Sequence, residues 1–331
     1  MTHVAILGGA GTVGATTAYT LAGQEPGWEI TLVDPDHDTA RGHGLDVDSL
    51  YGHASHAVGR QLTPGPERTR ADAVTAVPDA AALGGAGGQP DVVVVAASAP
   101  RPPDSAARGG REAFLERNAD VMADVGRGLG DAGIDPVPVL VVTNPLDRMT
   151  YLLWRATGAA WDRRRFVGYS LSETARLARA LAVRYGVSPG RIECPIVGEH
   201  GEEIVPLFSR TRVGGEPVDL NESERAALRD EVRDMPYDVI GLRGAAETSR
   251  WVTGYGVALL ARSLARGGPP APVCLSTPLA GEYGFDDVAM SVPVRLSDDG
   301  VERVLDWELA PAERDRLTAA YESIRDDLAG V

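Results

Sequence analysis

The hexapeptide Gly9-Ala10-Gly11-Thr12-Val13-Gly14 constrains this chain more than any other stretch. It follows the apolar run His3-Val4-Ala5-Ile6-Leu7 directly and opens residues 12–23, which read as a helix. An acid, Asp34, lies 20 residues past the last glycine, at the end of a second β-like run over 29–33. Glycines alone would mean little in a chain holding 39 of them. Strand, glycine turn, helix and trailing acid in that order make a dinucleotide-binding turn. Gly9 permits the tight turn, Gly11 lets a pyrophosphate approach the backbone, and Gly14 permits close helix–strand packing. The helix start, with Thr12 and Val13 behind Gly11, offers N–H groups and a positive dipole to phosphates. Asp34 suits ribose hydroxyls and repels a 2′-phosphate, so NAD is favoured over NADP.

The rest of the first half repeats the alternation of short β-branched runs with helical stretches. Residues 91–97 and 137–142 read as further buried strands, and the Pro- and Gly-rich 61–90 reads largely as loop. The expected class is therefore α/β. A Rossmann-type doubly wound parallel sheet over 1–146 binds NAD, and a mixed α+β substrate-binding and catalytic domain follows over 147–331. In that second part a helix is expected over 172–185, with a strand just before His200. Asn221-Glu222-Ser223-Glu224 reads as a capped helix start. Antiparallel strands are expected at 292–294 and 301–307. Leu317, Tyr321, Ile324 and Leu328 recur at helical spacing in the tail, the stripe of a packing helix.

Charge narrows the partners. The 331 residues carry 47 acidic against 32 basic side chains, a net −15, and every basic residue among Lys and Arg is arginine. Such an excess argues against nucleic acid or an anionic membrane as partner. It fits either adaptation to a salty cytoplasm or a GC-rich coding bias. No run of apolar residues is long enough for a membrane span, and Met1-Thr2 leads straight into the first strand, so the expected location is cytoplasmic. Cys194 and Cys274, the only cysteines, support neither a disulfide framework nor a cysteine metal site, and no metal is expected.

The candidate chemistry centres on Gly198-Glu199-His200-Gly201, which follows the apolar Pro195-Ile196-Val197. Histidine exchanges a proton near neutral pH, and the flanking glycines allow close approach of backbone and substrate. Upstream, Glu173 and Arg176 stand one helical turn apart and so share a face. A guanidinium grips a carboxylate bidentately, which lysine cannot do. Asn144, after a buried strand and before Pro145, sits where parallel sheets deliver ligands. His3, His37, His43, His53 and His56 read as structural or exposed.

With these landmarks in order, the chain resembles the lactate/malate dehydrogenase family, in particular its lactate-dehydrogenase-like malate dehydrogenase branch of halophilic type. The resemblance runs through Gly9–Gly14, Asp34, Val142-Thr143-Asn144-Pro145-Leu146-Asp147, Glu173-Thr174-Ala175-Arg176, the His200 turn, and Gly281-Glu282-Tyr283-Gly284 with Val292-Pro293-Val294. It implies reversible hydride transfer between NAD and a small 2-hydroxy acid in a homodimer or homotetramer. His200 would be the base, Glu173 its orienting carboxylate where the family has aspartate, and Arg176 the grip on the substrate carboxylate. Asn144 would lie near both nicotinamide and substrate. Residues 98–111 resemble the family's loop that closes over substrate. There Arg111 matches the arginine that polarises the carbonyl and also contacts substrate, with Arg108 a competitor because the loop is longer than usual. Arg101 matches the reader of the substrate's far end, and arginine there suits the second carboxylate of L-malate or oxaloacetate.

Alternatives remain. Ala246 stands where the family has a pocket threonine, with Thr248 a possible substitute, so L-lactate or a larger 2-hydroxy acid stays open as substrate. An NAD-dependent glycosidase would use a metal held by Cys194 and His200. A non-catalytic dinucleotide-binding protein is the third reading. Ala178 replaces the second arginine of sugar-phosphate-activated relatives, so such activation is not expected.

Overall fold

The computed structural model describes residues 1–55, 73–100, 115–243 and 250–331. Arg101, Arg108, Gly109, Gly110, Arg111, His56, Ala246 and Thr248 lie outside the described residues. Chain order begins β1 (His3–Leu7), α1 (Thr12–Gln24), β2 (Glu29–Val33), α2 (His37–Ser55), β3 (Val74–Val77) and β4 (Val92–Val95). It continues with α3 (Leu115–Asp131), β5 (Val139–Val141), α4 (Leu146–Ala156), β6 (Phe166–Gly168) and α5 (Leu171–Tyr185). Short strands follow: β7 (Ile192–Glu193), β8 (Ile196–Gly198), β9 (Ile204–Pro206), β10 (Arg212–Val213) and β11 (Glu216–Pro217). The chain closes with α6 (Glu222–Arg243), α7 (Arg250–Leu264), β12 (Val273–Ala280), β13 (Asp286–Ser297), β14 (Gly300–Val304) and α8 (Pro311–Leu328).

One sheet runs through both halves in the order β3-β2-β1-β4-β5-β6-β12-β13-β8-β9. Its first six strands are parallel, in the strand order of a doubly wound dinucleotide fold. From β6 onward the pairing turns antiparallel, through Gly168↔Ser276, the long β12–β13 ladder and β13–β8. Helices cover both faces, so the inner strands are buried on both sides and read as unbroken apolar runs. All four valines of β4 are fully buried, each contributing roughly 1.5–3 kcal/mol of transfer free energy. One core lies under α1, α2, α7 and α8, and a second lies on the opposite face under α3 and α4.

Part of the region expected to be loop is strand. β3 pairs with β2 from Ile30↔Val74 to Val33↔Val77. Sheet pairing, not local pattern, makes it. The last expected strand ends at Val304 rather than at residue 307. The capped start of α6 is as expected: Asn221 Oδ1 accepts the Glu224 N–H at 3.0 Å, and Glu224 Oε2 accepts the Asn221 N–H at 2.9 Å. In the tail, Leu317 and Ile324 are fully buried along α8. Among the described residues no helix is long and apolar enough to cross a membrane.

Candidate active site

The strand order reverses beside β1, and the C-terminal ends of β1, β4 and β5 open there, where such sheets bind ligands. After Leu7 the chain turns at once. The N–H groups of Gly8 and Gly9 both donate to the Val33 carbonyl, at 2.9 and 3.2 Å, and α1 starts behind Gly11 with no side-chain cap. A Cβ on Gly14 would lie 2.2 Å from the Gly8 carbonyl oxygen, so only glycine lets α1 start this close to the strand. At Gly11 a Cβ would meet only that same oxygen, at 3.3 Å; the position is open on its other sides, as an approaching pyrophosphate requires. Asp34 closes the second edge. Its Oδ2 accepts the Ala10 N–H and its Oδ1 the Asp36 N–H, both at 3.0 Å, which leaves lone pairs for ribose hydroxyls.

Asn144 follows β5 and precedes a cis Pro145. Thr143 Oγ1 donates to the Ala97 carbonyl at 2.7 Å, holding the end of β5 against the end of β4. Asn118 of α3, almost fully buried, bridges the same two ends. Its Nδ2 donates to the Asn144 carbonyl at 2.6 Å and its Oδ1 accepts the Ala99 N–H at 2.7 Å. The Asn144 side-chain oxygen is buried and has no hydrogen-bond partner among the described residues. A buried acceptor left open at the C-terminal end of β5 fits a bound dinucleotide with an amide to donate.

His200 sits in the turn between β8 and β9, and its Nδ1 lies 2.8 Å from Glu173 Oε2. Arg176, one turn further along α5, places Nη1 3.3 Å from the other oxygen of Glu173. The helical spacing that put Glu173 and Arg176 on one face is realised. Burial alone would push the Glu173 carboxyl up, but the His200 and Arg176 charges and the His200 hydrogen bond outweigh it, holding it down at about 2. Glu173 therefore stays ionised across the working range.

Two side chains not singled out from sequence complete the cluster. Asp147 Oδ2 accepts the backbone N–H of His200 at 2.7 Å. It is fully buried, and burial pushes its carboxyl up to about 6 against the Ser276 hydroxyl and the charges of Arg148 and His200. Arg148 reaches Glu199, the residue before His200. The only hint in sequence was an acid and a base together in the otherwise apolar start of α4. Three histidines take the structural roles expected of them. His3 bridges the Gln89 carbonyl and Thr31 Oγ1, His37 meets the Ala76 carbonyl, and His43 the Ala10 carbonyl. Cys194 is buried with its thiol on the Thr174 carbonyl, and burial pushes its pKa up to about 12. That is a poor setting for a thiolate metal ligand.

Comparison with known proteins agrees with this geometry. The family model described as lactate/malate dehydrogenase, NAD binding domain, matches residues 2–168. The one described as lactate/malate dehydrogenase, alpha/beta C-terminal domain, matches residues 173–331. A malate dehydrogenase of Thermoproteus tenax is 34% identical over 319 residues, covering 96% of this chain and 94% of its own. The solved malate dehydrogenase of Aeropyrum pernix superposes with a TM-score of 0.83 at 25% identity, covering 99% of this chain and 97% of the other. A minor L-lactate dehydrogenase from Enterococcus mundtii shares the fold with the same TM-score at 24% identity, covering 100% and 98%.

Proposed function

The chain belongs to the lactate/malate dehydrogenase family, and we propose that it is an NAD-dependent 2-hydroxy-acid dehydrogenase interconverting L-malate and oxaloacetate. The observation that carries the reading is the buried Glu173 carboxylate lying between His200 and Arg176. In this assignment residues 1–146 bind NAD and residues 147–331 bind substrate and carry the chemistry. Gly9, Gly11, Thr12, Val13 and Gly14 receive the pyrophosphate, Asp34 the adenosine ribose, and Asn144 the nicotinamide side. NAD supplies the hydride acceptor.

The remaining chemistry falls to side chains. An anionic Glu173 facing Nδ1 favours the tautomer with the proton on that nitrogen. Nε2 is then free to take the hydroxyl proton of the substrate, and the imidazolium that forms is stabilised where it forms. Arg176 pairs with the substrate carboxylate and so orients the reacting carbon relative to Nε2. Arg111, or Arg108 in its stead, polarises the carbonyl, and Arg101 reads a second carboxylate. The family relationship supports a homodimer or homotetramer in the cytoplasm.

Initial rates of NADH oxidation with oxaloacetate, pyruvate and 2-oxoisocaproate test the reading. Oxaloacetate is expected to exceed pyruvate in kcat/KM by at least about tenfold, and Arg101→Gln to narrow that gap. Pyruvate equal to or better than oxaloacetate would replace malate by lactate as substrate. NADH binding with no turnover on any 2-oxo acid would make the protein a non-catalytic binder.

A further inference from the structure

Arg148 occupies a place in α4 that the surrounding packing would give to an apolar side chain. It stands between Asp147 and Met149, and its side chain is 3% exposed. A buried guanidinium survives only with its charge matched and its donors used. Both conditions are met from two distant parts of the chain. Nη1 donates to Glu199 Oε1 at 2.5 Å, while Nε and Nη2 donate to Asp327 Oδ2 at 2.9 and 2.6 Å. Asp327 lies in α8, the C-terminal helix.

The Glu199 end of this bridge is the His200 turn itself. Glu199 Oε2 accepts the N–H of Glu203, across the turn, at 2.9 Å. Asp147, the neighbour of Arg148, accepts the N–H of His200. On the other side, Tyr237 of α6 donates to Glu202 Oε1 at 2.9 Å. Two consecutive side chains of α4 therefore hold the turn at residues 199 and 200, and Arg148 extends that hold to α8.

We infer that Asp147 and Arg148 are positioning residues for His200, and that α8 takes part in catalysis at a distance because Asp327 fixes Arg148 against the His200 turn. The catalytic half of this inference rests on the proposed role of His200 as the proton acceptor; the mechanical half does not. An ion pair kept for stability alone would gain little from such burial, since apolar side chains of similar volume serve as well. Here Glu199 and Asp147 both accept N–H groups of one backbone segment, and Asp327 is tied to that segment through Arg148. Displacement of a reacting group by about 1 Å can cost on the order of a hundredfold in rate. Loss of one anchor out of several should cost less.

Amide hydrogen exchange over residues 196–206, measured with steady-state kinetics, tests the inference. Asp327 is 35% exposed, so Asp327→Ala should fold. Its expected effects are exchange about tenfold faster in that segment, unchanged exchange in the parallel strands, and kcat down about tenfold. KM and NADH affinity should stay within about twofold, and Asp327→Glu should restore most of both losses. Arg148→Lys, which keeps the charge but loses the two-sided fork, should fall between. Unchanged exchange over 196–206, or faster exchange with kcat intact, overturns the inference. A wild-type enzyme that turns over no 2-oxo acid overturns the functional reading instead, and the exchange comparison then decides the brace by itself.

Discussion

Asp147 and Glu173 are two buried carboxyls in contact with the same residue, His200, and their surroundings drive them in opposite directions. Glu173 faces the Arg176 guanidinium and accepts a hydrogen bond from the His200 ring, and is held down, so its contribution to stability is complete above its unfolded pKa and is lost as pH falls toward about 2. Asp147 meets its neighbours less fully, and its rise from 3.8 to about 6 is dominated by burial. For an acid with a raised folded pKa, the folded state prefers the proton. Asp147 thus costs almost nothing near pH 3, and its penalty grows from pH 3.8 until pH passes about 6, reaching roughly 2–3 kcal/mol. Asp147→Asn keeps an oxygen to accept the His200 N–H but carries no charge. It should raise unfolding free energy by about that amount at pH 8 and leave it nearly unchanged at pH 3, as read by urea denaturation. An equal effect at both pH values would remove the proton-linked penalty. His200, Glu173 and Arg176 were legible in sequence because helical spacing and a glycine-flanked histidine are local signals. Asp147 was not, since an acid after a proline at a helix start reads as a first-turn acid facing the dipole. Its backbone partner lies 53 residues on.

At the scale of elements, legibility followed how local the cause was. β4 and β5 announce themselves as valine runs buried on both faces. β3 has only Val74-Thr75-Ala76-Val77, with Thr75 exposed, and owes its existence to β2 beside it. The link between elements at the mouth of the site is equally non-local. Asn118 joins the stem leaving β4 to the Asn144 carbonyl, 26 residues away in sequence. Asn118→Ala leaves an amide N–H and a carbonyl without their partner, at about 1–3 kcal/mol for each group that water does not reach. The variant should lose about 2 kcal/mol in stability, with weaker NADH binding because Asn144 loses its anchor. Thermal melting and a fluorescence titration with NADH check this. A destabilised variant with unchanged NADH affinity would confine Asn118 to a structural role.

For the whole molecule the governing quantity is the net charge of −15. Arginine supplies all the Lys and Arg cations, and among the described ion pairs the two least exposed arginines, Arg148 and Arg176, face Glu199, Asp327 and Glu173. Outside, pairs such as Arg164–Asp162 and Arg325–Asp326 join residues adjacent or nearly adjacent in sequence, on exposed side chains. Pairs of that kind are worth about 0–1 kcal/mol each and weaken with salt. Repulsion among the surplus carboxylates acts across the whole surface, and it weakens too. At low ionic strength the Debye length is about 30 Å, comparable to a domain; at 1 M it is about 3 Å. Removing long-range repulsion should outweigh the loss of a few local pairs, because the surplus is spread over the molecule and the pairs are short-ranged. Melting temperature should therefore climb between low and molar NaCl, steeply up to about 0.5 M if screening is the cause, since most of the fall in Debye length is complete by then. A continued climb beyond that point, steeper in sulfate than in chloride, would add solvent exclusion from the acidic surface. A flat or falling curve would remove salt adaptation as the reason for this composition and leave coding bias to account for the arginines.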